Sequence, residues 1–158
     1  MNRKALGDDL NDLLAIATRG LLCFLDQSTP YLTPQTHRMW SDIRKMVQGN
    51  AEHAERLTEI LESLRIPFRA ASFSLDVASL HYMTLETTLP MLADQMRRQA
   101  DTFQLAIKHG ASNQPLHNAL TSMLANTETW LKQLEAHLKS ISAEPVPTDT
   151  PSAATDHS

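Results

Sequence analysis

Apolar residues recur at three- and four-residue spacing through four long stretches of this chain, each bounded by helix breakers or caps. That period is helical, because a strand would alternate every second residue. The first stretch runs from about Asp9 to Asp26 on a stripe of Leu6, Leu10, Leu13, Ala17, Leu21 and Phe24, and stops at Ser28-Thr29-Pro30. The second opens at Thr33-Pro34, a capping threonine before a proline at the one helical position whose amide needs no partner. It runs to about Leu64 on Trp40, Ile43, Val47, Asn50, Ala54, Leu57, Leu61 and Leu64. The third spans about Ser74 to His109 on Leu75, Ala78, Tyr82, Leu85, Leu89, Leu92, Met96, Gln99, Phe103 and Ala106, with Gly110 placed to end it. Pro90 falls in its middle, where a missing amide should kink the helix and free the Glu86 carbonyl. The fourth extends from about Pro115 to Ile141 on Leu116, Leu120, Met123, Thr127, Trp130, Leu134, His137 and Ile141.

Leucine occurs 23 times against nine for isoleucine and valine together, and only four residues are glycine, so intrinsic preference points the same way. Four amphipathic helices can bury their stripes only against one another. The expected fold is therefore all-α, an antiparallel four-helix bundle over residues 1–141. Residues 142–158, rich in Pro, Ser, Thr and Ala, are expected to form a disordered tail.

Fourteen basic against eighteen acidic side chains give a net charge of −4, with no Lys/Arg block to neutralise a row of phosphates, so nucleic acid is not expected as a partner. No apolar run approaches the roughly 20 residues a membrane helix needs. Cys23 is the only cysteine and sits between Leu22 and Phe24, which reads as a small hydrophobe without chemistry of its own. The N-terminal residues lack the apolar stretch of a secretion signal, and a cytoplasmic location is the expectation.

Chemistry inside a helical bundle needs carboxylates and imidazoles facing inward at one level. The second helix carries the segment Asn50-Ala51-Glu52-His53-Ala54, followed by Ile60-Leu61 and then Ile66-Pro67. This resembles the second helix of ferritin-like proteins, particularly bacterioferritins and the Dps mini-ferritins. The resemblance spans about residues 9 to 141. It implies a metal ligand at His53, and Met83-Thr84-Leu85-Glu86 resembles the family's Leu-Glu ligand segment, making Glu86 the counterpart on the third helix. The remaining ligand positions fall on Ala17, Asn50, Leu124 and Thr127, and no Glu-x-x-His occurs in the chain. The family's haem-binding methionine falls on Ala51, so haem is not implied.

A di-iron centre brings four or more positive charges into a core of low dielectric, and one histidine with one glutamate is too little to neutralise them. The expected function is a non-catalytic ferritin-like bundle acting as a structural, regulatory or protein-interaction module, with no cofactor. The alternative is an iron-binding ferritin-like protein, a ferroxidase, oxidase or store, drawing on His53, Glu86 and either His81 or His137. A third reading is a small-ligand site at a polar level of Asn50, Glu86 and Thr127, although Asn50 and Thr127 are also placed to bond each other or a water across the core. Glu52, Glu55, Glu59 and Glu62 lie on a solvated stripe, with Glu52 spaced to pair with Arg56. Leu14, Ile16, Leu22, Cys23 and Leu25 fall off the first helix's stripe. A second apolar face implies a partner, and with the family resemblance it suggests a homodimer through the first helix.

Overall fold

Side-chain caps fix where the helices begin in the computed structural model, which describes residues 2–69 and 83–143. The Ala5 amide donates to Asn2 Oδ1 at 3.1 Å and opens α1 (Arg3–Arg19) well before Asp9. After Gly20 the chain turns helical again as α2 (Leu21–Gln27), so the expected first helix is two pieces. Thr33 and Thr36 cap each other's amides at the start of α3 (Pro34–Ser63). Thr84 opens α4 (Leu85–His109) by accepting from the Thr87 amide, and Asn113 accepts from the Leu116 amide as α5 (Gln114–Ala143) begins.

The largest departure from the periodic pattern is the start of α4. Met83 and Thr84 are not helical, and the Leu85 amide donates to the Tyr31 carbonyl at 3.1 Å instead of to a preceding turn. The helix expected from Ser74 is therefore interrupted before Leu85, and its stretch over 74–82 lies outside the described residues. Pro90 consequently sits in the second turn on the exposed side, not in mid-helix, and α4 continues through it. At the other end Ser142 and Ala143 complete the last turn of α5, and the tail expected beyond them lies outside the described residues.

α1 packs against α3 and α4, and α5 packs against the same two. The Asn2 amide donates to the His109 carbonyl, so α1 starts where α4 ends. Tyr31 and Thr84 pair just ahead of α3 and α4, so these two start at the same end and run parallel. Since α3 is 30 residues, or roughly 45 Å at 1.5 Å per residue, its end and the start of α4 lie at opposite ends of the bundle. Each of the contacting pairs α1/α3, α1/α4, α3/α5 and α4/α5 is antiparallel.

The chain leaves α3 through a tight helix end. The Arg65 amide donates to Glu62 O and the Ile66 amide to Leu61 O, the paired bonds of a Schellman cap, which require a left-handed residue at Arg65 (φ 56°). Ile66 then tucks back into the core, 8% exposed. Arg3 donates to the Leu64 and Arg65 carbonyls, and Asn11 bonds both the Pro67 carbonyl and the Arg69 amide, which ties the residues after α3 to α1. A side chain in the left-handed region costs about 1 kcal/mol that glycine does not incur. Arg65→Gly is expected to raise stability by about 0.5–1 kcal/mol, measured by thermal or urea denaturation.

The interior divides into two apolar clusters. One holds Leu21, Ile43, Met46, Leu89, Leu92, Met96 and Leu134, and the other Leu6, Leu10, Leu13, Leu57, Leu61, Phe103 and Leu120. On α3 the expected stripe is buried at Ile43, Asn50, Leu57 and Leu61, but its other positions are displaced by neighbours. Met46, His53 and Ile60 face inward, while Val47 and Ala54 are only half-buried. Burial of apolar surface at about 25 cal/mol per Å² drives each cluster. Between them lies a level where polar side chains from three helices meet.

Candidate functional site

The polar level is built around the break between α1 and α2. In an uninterrupted helix the Leu21 amide would donate to the Ala17 carbonyl. Here the Leu21 amide donates to Gln95 Oε1 of α4 at 2.9 Å, and the Ala17 carbonyl accepts from Asn50 Nδ2 of α3 at 2.8 Å. Two side-chain amides thus take up the donor and the acceptor that the break exposes. Asn50 and Gln95 are 4% and 6% exposed, so without these bonds both backbone groups would be buried and unsatisfied. Glycine at position 20 permits the approach, since a Cβ there would run into the Ile16 carbonyl and the Gln95 amide.

His53 lies one turn beyond Asn50 on the same face of α3. Its ring stacks on Trp130 of α5, with centroids 4.9 Å apart, and meets Phe103 of α4 edge-on. The Trp130 ring in turn lies against Gly49, where a Cβ would strike it. Asn126 Nδ2 donates to His53 Nε2 at 3.3 Å, which leaves the ring proton on Nδ1, buried and without a partner. Burial lowers the His53 pKa from 6.5 to about 4, so the ring is neutral at physiological pH. Gln99 Nε2 is also buried without a partner, and the Thr127 hydroxyl donates to the Met123 carbonyl of its own helix. Asn50 and Thr127 therefore do not bond each other, as their seam positions had suggested.

The unpaired polar atoms at this level are both N–H donors. A metal cation needs lone pairs and negative charge, and the level offers neither in excess. Glu86 is elsewhere. Its carboxylate accepts from Thr33 Oγ1 at 3.2 Å, at the start of α3 and roughly 30 Å along that helix from His53 at 1.5 Å per residue. His137 Nε2 is held 3.0 Å from Asp42 Oδ2, about three turns from His53 along α3. His81 lies outside the described residues. Among the described residues no three His, Cys, Asp or Glu side chains are grouped to hold a metal ion. The residues at mid-bundle do not fit a di-iron cofactor, and the level of Asn50 and Thr127 does not include Glu86.

The other residues singled out by sequence also have places. Cys23 is half-buried, and burial with the nearby Asp26 carboxylate raises its thiol pKa, which disfavours the reactive thiolate. His109 Nδ1 is 2.6 Å from Asp9 Oδ2, clipping α4 to α1. Arg56 pairs with Glu59 at 3.7 Å, not with Glu52. Of the five residues off the first helix's stripe, Leu22 and Leu25 are each 3% exposed and belong to the chain's own core, because the break at Gly20 redirects α2 inward.

Gln95, Gln99 and Asn126 complete this level. Gln99 interrupts an apolar stripe in the sequence, but Gln95 and Asn126 fall beside the stripes and carry no such mark. No described helix is long and apolar enough to cross a membrane. Comparison with protein-family models, with curated proteins and with solved structures finds no match to this chain.

Proposed function

We propose that this chain is a ferritin-like bundle whose mid-level polar residues serve architecture, and that it works as a non-catalytic structural, regulatory or protein-interaction module. Two observations support the ferritin-like part. The contacting long helices are antiparallel while α3 and α4 start at the same end and run parallel, an arrangement compatible with ferritin-like bundles. The two positions that the resemblance assigns to glutamate ligands, Ala17 and Asn50, are in direct contact across α1 and α3.

The observation that carries the non-catalytic part is the bond from Asn50 Nδ2 to the Ala17 carbonyl. It commits a ligand position to repairing a helix break and does so through a donor, where iron would require an acceptor. In this reading the work of the protein is done on its outer surfaces, in contact with other proteins or with copies of itself.

Ferrous iron added aerobically to the purified full chain tests the proposal. The expected result is fewer than two tightly bound irons per chain by metal analysis, and oxygen uptake no faster than in buffer. Two bound irons per chain, or rapid oxygen consumption, would favour the alternative of an iron-handling protein with an unusual ligand set.

A further inference from the structure

Two buried donors at mid-bundle find no acceptor among the described residues, and they stand on helices that do not pack against each other. α3 and α4 occupy opposite corners of the bundle, each packed on α1 and α5. Because the two run parallel, heights along them can be compared from a common mark. The break at Gly20 supplies it, since Asn50 and Gln95 reach the Ala17 carbonyl and the Leu21 amide, two groups that would bond each other in an unbroken helix. His53 lies three residues past Asn50, and Gln99 four past Gln95, about 4.5 and 6 Å further on at 1.5 Å per residue. Phe103, one turn beyond Gln99 on the same face of α4, meets the His53 ring with centroids 6.1 Å apart. His53 Nδ1 and Gln99 Nε2 thus enter the core near one height from opposite sides, on residues 4% and 1% exposed, and both are unpaired.

We propose that a single water molecule bridges His53 Nδ1 and Gln99 Nε2 across the core, accepting from both and linking α3 to α4. A buried N–H without an acceptor is costly, and interiors meet such groups with water where the protein does not. Thr127 is fully buried and follows the Asn126 that bonds His53. Its hydroxyl proton goes to the Met123 carbonyl, which leaves the oxygen able to accept from the water. Three polar partners is the usual number for an internal water. Other small ligands suit the site less well. An anion would need a compensating charge, and His53 is neutral, its pKa lowered by burial to about 4. A cation would face two N–H hydrogens, and an apolar guest would leave both donors unmet. The inference rests on the reading of this level as architecture and deepens it, since it names the molecule that completes the level.

Magnetic relaxation dispersion of the water oxygen counts internal waters that stay longer than the protein takes to tumble. It is measured for the full chain and for the double variant His53→Phe with Gln99→Met, in which apolar side chains of similar size replace both donors. Urea denaturation of the parent, the two single variants and the double variant at neutral pH completes a double-mutant cycle. A crystal structure of the unmodified chain locates the molecule directly and does not depend on any variant folding.

The expected count is one long-lived water fewer in the double variant, and the crystals are expected to show one water within hydrogen-bond distance of both nitrogens. Each single substitution strands the water with one donor lost and should lower the folding equilibrium constant about twofold to tenfold, while the double variant falls by less than the product of the two. Equal counts overturn the proposal. So does a Gln99→Met variant more stable than the parent, because relief of an unmet donor stabilises, and so do single effects that simply multiply. Crystals with an ion, or with nothing, between the two nitrogens overturn it as well. A chain that takes up no iron yet lacks this water fails here alone, whereas a chain that binds two irons fails the reading beneath it.

Discussion

Replacing Asn50 by aspartate is expected to cost about 3–5 kcal/mol of folding stability at neutral pH, the usual scale for an uncompensated buried charge. The two side chains have nearly the same shape, so packing is unchanged and the effect is electrostatic. In place of the donor that meets the Ala17 carbonyl at 2.8 Å, aspartate presents a charged acceptor to another acceptor, at a site 4% exposed. The protonated carboxyl can still donate. The folded state therefore raises this pKa above the ~3.9 of an unfolded chain. A raised carboxyl pKa makes stability greatest below the unfolded value and lost as pH rises, so the deficit relative to the parent should shrink by more than half between pH 7 and pH 4. Urea denaturation of both proteins at the two pH values measures it. A variant within about 1 kcal/mol of the parent at pH 7 would show that the Asn50 bond does not hold the break together. The same physics explains why a carboxylate ligand cannot simply be restored at this position.

The parent protein should itself weaken in acid. His53 has a folded pKa of about 4 against an ordinary 6.5, because its ring is buried between Trp130 and Phe103 with no anion beside it. The folded state binds the proton less readily than the unfolded chain does. Stability from this residue is therefore complete above pH 6.5 and falls progressively toward pH 4. With 1.36 kcal/mol per pKa unit, the loss over that window is about 3 kcal/mol. His53→Phe keeps an aromatic ring on Trp130 and removes the titrating nitrogen, so its stability profile should be flatter by about that amount between pH 6.5 and 4. Equal acid sensitivity in the two proteins would place the responsible group elsewhere.

Local chemistry made much of this fold legible. Thr33-Pro34 marked the start of α3 because a capping hydroxyl and a fixed backbone angle act within four residues. The stripes of α4 and α5 gave Leu89, Leu92, Met96, Phe103, Leu120, Met123 and Leu134 as core, and all are buried. On α3 the stripe was right at Ile43, Asn50, Leu57 and Leu61 and one residue off at Val47 and Ala54, beside the Met46 and His53 that lie inside. Gly20 was the position that concealed most. It sits in an unbroken apolar pattern, and its break depends on amides contributed by Asn50 and Gln95, which are 33 and 74 residues from the groups they satisfy. The polarity of Asn50 and Thr127 was visible from the seams, but their partners are set by tertiary structure. Glu86 looked like a ligand because of its neighbours in sequence, whereas Thr33 and the shared start of α3 and α4 decide its role.

The bond from the Asn2 amide to the His109 carbonyl has a consequence for synthesis. The opening turn of α1 emerges from the ribosome before α4, yet its docking site is completed only when α4 has been made to its last turn. Until then Leu6, Leu10 and Leu13 lack part of their cover, and the nascent chain exposes an apolar helix for more than a hundred residues of elongation. The α4/α5 hairpin joins two long helices through residues 110–113 alone and can close by itself, so assembly should run from the C-terminal half backward, with α1 sealed late. A stalled chain ending before α4 is complete would thus be a ready client for chaperones.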